Sequence, residues 1–130
     1  MVSKSKYILI YWVPIFIYCL LIFIQSSYPS VETIPTFLFS DKLLHFSAYA
    51  LLGILFFRAF ETFPALNNHH LTVALSILCA GLYGASDEIH QYFVPGRNAD
   101  IMDLAADFTG SFAGVIIYRY ILNNYKENRY

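Results

Sequence analysis

Three stretches of this sequence carry residue types that do chemistry, each at helical spacing. Asp41, His45 and Tyr49 fall four apart, with Lys42 beside the first. Gly81, Gly84, Glu88 and Gln91 follow a three-four-three step, and Asp103, Asp107, Gly110 and Gly114 a four-three-four step. Residues three or four apart share one face of an α-helix, so each stretch presents a polar stripe rather than scattered charge. His45 and Glu88 are the candidate catalytic residues, His45 as a general acid or base. With Glu88, Asp103 or Asp107 as hard ligands, His45 could also hold a divalent metal beside a phosphate substrate. Lys42 and Arg97 offer grips for phosphate or carboxylate, the planar guanidinium in bidentate fashion. Asp41, Tyr49, Gln91, Asp100, Asp103 and Asp107 complete the expected ligand-binding set, with the Tyr49 hydroxyl placed to orient His45. His90, two residues from Glu88, should face away from that stripe, and His69 and His70 should lie at the other side of the bundle.

The elements that must position these side chains are unusually apolar. Of the 130 residues, 58% are hydrophobic and 13% charged, where soluble domains carry about a quarter charged residues. The apolar residues gather in long blocks, approximately 7–24, 43–60, 70–89 and 101–122. About 18 to 20 helical residues cross a hydrocarbon core about 30 Å thick. The expected fold is therefore all-α, a single domain over 1–130 forming an integral membrane bundle of four transmembrane helices. The first block reads as a retained span rather than a signal peptide, because it is long and "QSSYPS" after it offers no small-residue cleavage site. Pro14 within it is tolerable in a membrane helix, where neighbouring groups satisfy the freed carbonyl.

Charge sets the expected orientation. Lys4, Lys6, Arg58, Arg119, Lys126 and Arg129 fall to one side of a four-span bundle, and only Lys42 and Arg97 to the other. The positive-inside rule then places both termini in the cytoplasm. Most acids, Glu32 and the stripe carboxylates among them, sort to the outer side, leaving Glu61 and Glu127 inside. "VPGRNAD" reads as a tight reversal, with Asn98 as N-cap of the last helix and Asp100 in its first turn. Asp87 and Asp100 are expected to be solvated. Lys42 with Asp41, and Arg97 with Asp100 or Asp103, are the expected ion pairs. Cys19 and Cys79 read as packing residues rather than a disulfide. No basic nucleic-acid patch, phosphate loop or internal repeat is present.

"DKLLHFSAY", followed after a hydrophobic span by "GLYGASDEIHQYFVPGRNADIMDLAADFTGSFAG", resembles the VanZ-like family of small bacterial membrane proteins. The resemblance rests on Asp41-Lys42-x-x-His45, on Glu88 and Gln91, on the Pro-Gly-Arg turn, on Asp100 and Asp103 before a glycine-bearing last helix, and on Ser26 and Ser27. At Asp107 this chain departs from a family asparagine and gains a carboxyl group. The resemblance implies a multi-pass protein of the bacterial cytoplasmic (inner) membrane, and the family's namesake is associated with resistance to the glycopeptide antibiotic teicoplanin.

Three readings of the polar stripes stay open. They bind an envelope ligand such as a lipid-linked cell-wall precursor, or another anionic membrane-lipid headgroup; they catalyse a reaction on a phosphorylated or lipid-linked substrate, with or without a divalent metal; or they form a purely structural network. Six carboxylates against two cations leave a surplus of four negative charges. A raised pKa, a bound cation or exposure to water must relieve it.

Overall fold

The computed structural model describes residues 4–29, 40–66 and 68–128; Glu32 and Arg129 of the charge count lie outside the described residues. The described residues form four helical rods and no strand. The first rod joins α1 (Lys4–Tyr7), a π-helical turn (Ile8–Trp12) and α2 (Val13–Ser26). The others are α3 (Ser40–Phe60), α4 (His69–Tyr92) and α5 (Ile101–Glu127). The wide turn ends where Pro14 begins. Proline has no N–H to offer the preceding turn, and the Val13 N–H reaches five residues back to the Ile8 carbonyl.

Helices in lipid gain little from hiding apolar surface from one another, so small residues that admit close backbone approach decide which pairs meet. Gly110 and Gly114 of α5 do this against α3, where a Cβ at either position would strike the backbone carbonyl of Phe46 or Ala50. α4 packs on both α3 and α5, and the first rod leans on α3 and α4. Two phenols tie it there, Tyr18 donating to the Ala48 carbonyl at 3.1 Å and Tyr83 to the Cys19 carbonyl.

The surface is inverted relative to a water-soluble bundle. Phe16, Leu43, Phe112 and Ile117 face outward, while Ser26, Thr72, Ser76, Asp103, Asp107 and Ser111 are buried. Among the described residues, three helices are long and apolar enough to cross a membrane: Ser5–Ser26, Ser40–Phe60 and Ile101–Glu127. α4 falls outside that group despite its 24 residues. Of its polar residues, Thr72, Ser76, Asp87, Glu88 and Gln91 are buried in the bundle while His69, His70 and Ser86 are exposed, and Leu71, Leu78, Leu82 and Ile89 form its exposed apolar flank.

Several boundaries and caps differ from the sequence expectation. α3 begins at Ser40, α4 extends to Tyr92, and α5 continues to Glu127 because polar residues prolong helices past the apolar blocks. Asp100, not Asn98, caps α5: its side chain accepts the Met102 N–H at 2.8 Å. The turn before it is tight as expected, with the Arg97 N–H on the Val94 carbonyl and Gly96 at φ +81°, a left-handed conformation that glycine adopts without strain. Cys19 and Cys79 are both free thiols.

Candidate functional site

α3, α4 and α5 bring their polar stripes together at one end of the bundle. α3 supplies His45 and Lys42, α4 supplies Asp87, Glu88 and Gln91, and α5 supplies Asp103 and Asp107. At the centre, the His45 imidazole meets Asp107, Nδ1 to Oδ1 at 2.9 Å. Both are buried, at 7% and 0% exposure. Room for that carboxylate comes from Gly84 across the interface, where a Cβ would collide with Asp107 Oδ2.

Around this centre the connections cross between helices. Lys42 donates to Asp100 and to Asp103, both at 2.7 Å. The Lys42 ammonium beside Asp100 holds that carboxyl below its ordinary value, and the Met102 N–H adds to the effect. Glu88 accepts the Asp100 backbone N–H at 3.0 Å, so a side chain of α4 fixes the start of α5. Gln91 donates to Asp87 one helical turn away, at 3.0 Å.

The structure gathers His45, Lys42, Glu88, Asp103 and Asp107 as the spacings anticipate, but rearranges their partners. Lys42 does not pair with Asp41, since adjacent helical residues point apart; it crosses to α5 instead. Arg97 makes no ion pair among the described residues, and its Nε is buried without a hydrogen-bond partner there. Tyr49 stacks on His45 with ring centroids 6.3 Å apart, but its buried hydroxyl finds no partner among the described residues and does not orient the imidazole. Asp87, expected in water, is buried. Its four-residue step to Gln91 was the available signal, hidden because Asp87 sits beside rather than on the glycine stripe. His90 faces away as anticipated, stacked on Phe23 and bonded to Ser27 Oγ at 2.9 Å.

Several cavities open at this end among the described residues, the smallest, of about 30 Å³, lying between His45, Tyr49, Asp87 and Arg97. A polar cleft of about 230 Å³ is lined by Asp41, Lys42, Gln91, Arg97, Asp100 and Asp103, among others. Beside it, a groove of about 360 Å³ runs along Ile89, Tyr92, Phe93, Ile101 and Leu104, with Glu88 and Asp100 on its polar edge. Asp100 lines both. Among the described residues, two sets of three side chains have the composition and closeness of a metal site: His45, Glu88 and Asp107, or Asp41, His45 and Asp103. Within each set, one ligand atom per residue lies within 4.8 Å of the others.

Residues 8–123 match the protein family described as VanZ/LLP1, which covers nearly the whole chain. No curated protein and no solved structure matches. The family match and the three long apolar helices together mark a membrane protein.

Proposed function

This chain belongs to the VanZ/LLP1 family, and we propose that it binds the anionic headgroup of a membrane-anchored amphiphile, such as a lipid-linked envelope precursor, at the polar end of its bundle. One observation carries this reading: the polar cleft and the apolar groove adjoin through Asp100. A headgroup in the cleft would leave its chain against Ile89, Phe93 and Ile101, side chains turned toward lipid.

Arg97 is the residue to meet the anion. Lys42 is already committed to two carboxylates, whereas the Arg97 side chain lines the cleft and makes no ion pair among the described residues. A planar guanidinium can grip a phosphate in bidentate fashion. Gln91 and Asp100 bound the same space and would set which headgroups fit.

The reading takes α4 as a fourth crossing of the bacterial cytoplasmic membrane, with both termini inside. Its length supports this, since 24 residues extend about 36 Å. So does the outward placement of its leucines. Native mass spectrometry from mild detergent tests the binding: a co-purifying phosphate-bearing lipid is expected, lost or reduced at least about tenfold in Arg97→Ala. A lipid complement unchanged by that substitution contradicts the proposal.

Catalysis is a second reading, favoured by the meeting of His45, Glu88 and Asp107 from three different helices. It requires product formation that His45→Ala abolishes while the protein still folds. A link to glycopeptide resistance follows only from the family's namesake; changed teicoplanin susceptibility on expression, reversed by Arg97→Ala, is its test.

A further inference from the structure

We propose that His45, Glu88 and Asp107 hold one divalent cation of the Zn²⁺ or Mn²⁺ type. Each comes from a different helix, and one ligand atom from each lies within 4.8 Å of the other two. All three are more than nine-tenths buried. Metal bonds of about 2.0–2.2 Å put neighbouring ligand atoms about 3 to 3.5 Å apart. A small inward shift of the side chains therefore closes the set.

A second observation points to the ligand. Glu88 spends Oε2 on the Asp100 N–H, and Asp107 spends Oδ1 on His45. The remaining oxygens, Glu88 Oε1 and Asp107 Oδ2, are buried with no hydrogen-bond partner among the described residues. Each of these two carboxylates therefore keeps one oxygen out of water with no donor among the described residues, and Lys42 donates to neither. The alternative set of Asp41, His45 and Asp103 is weaker: Asp41 is exposed, and Asp103 already accepts from Lys42.

The donor chemistry narrows the ion. One imidazole nitrogen with two carboxylates suits Zn²⁺ or Mn²⁺ better than Ca²⁺ or Mg²⁺, which favour all-oxygen shells. Three protein ligands leave at least one coordination position open. The site stands apart from the headgroup reading, because an ion can bind here with the cleft empty and Arg97 is not among its ligands.

The test uses the full chain in nanodiscs, stripped with chelator and titrated with Mn²⁺ alone. Loss of the free-ion paramagnetic signal should report one Mn²⁺ per chain, and pulsed measurements should show nitrogen modulation from a bound imidazole. Glu88→Gln and Asp107→Asn should each weaken binding at least about tenfold, His45→Gln should remove the nitrogen modulation, and Glu61→Gln should leave both unchanged. No stoichiometric Mn²⁺, or a bound ion without nitrogen modulation in the unaltered protein, overturns the proposal; that result stands even where a variant fails to fold. Loss of lipid in Arg97→Ala with Mn²⁺ retained separates this site from the headgroup reading.

Discussion

The two ends of the bundle both carry charge around a cavity, yet they are built differently. At one end, Glu61, His69, Arg119, Asn123 and Lys126 border a space of about 120 Å³. Most of these side chains are exposed, and no ion pair joins them among the described residues. At the other end, buried carboxylates are joined across helices by Lys42, His45 and the Asp100 backbone. Charges in water cost little to leave unpaired, whereas charges out of water must be satisfied by neighbours. The first end needs no design beyond solubility. The second is held by contacts that a substitution would break.

The largest expected effect strikes the packing that brings the second end together. Gly110→Leu drives a side chain into the Phe46 carbonyl at the α3–α5 contact. Overpacking typically costs about 1–3 kcal/mol and occasionally more. Because a helix backbone, not a flexible side chain, stands in the way, the upper end is expected. Thermal melting in detergent should fall accordingly; an unchanged melt would mean the helices are not in contact there.

Next comes the contrast between ends. Asp107→Ala leaves the buried His45 without its partner and should cost about 1–3 kcal/mol. Glu61→Ala, on an exposed position, should stay within about 0.5 kcal/mol. Equal effects on unfolding would erase the distinction between the two ends.

The smallest effect is electrostatic. Lys42 lowers the pKa of Asp100 from its ordinary 3.8. The stabilisation is thus fully present above that value and is lost as pH falls through the depressed one. With 40% of the Asp100 side chain exposed, solvent screening keeps the slope shallow. Melting temperature should decline below about pH 4 in the unaltered protein, and Lys42→Ala should remove the Asp100 share of that decline; an identical acid profile in both would show that the pair does not contribute.

Much of this was legible in the sequence. Apolar blocks mark the rods, and three- and four-residue steps place His45, Glu88, Asp103 and Asp107 on inward faces because an α-helix repeats every 3.6 residues. Pairing was less legible. Lys42 neighbours its carboxylate partners only in three dimensions, since they lie 58 and 61 residues further along the chain, so a sequence reading assigns it to the adjacent Asp41. The burial of Asp87 was also hidden, since it depends on how α4 rotates against α3. The cap of α5 came down to whether Asn98 or Asp100 first turns into helix, a choice settled by Glu88 holding the Asp100 N–H from the neighbouring helix.

The central claim, that the linked end and the exposed end lie on opposite sides of a bilayer crossed by α4 and α5 alike, is tested most directly by labelling with a membrane-impermeant thiol reagent. Glu61→Cys, Asn98→Cys and Lys126→Cys would be made separately in a chain with Cys19 and Cys79 replaced by alanine. Position 98 should label in intact cells, and positions 61 and 126 only after permeabilisation. Labelling of 61 and 98 from the same side would contradict the account, because α4 would then not cross.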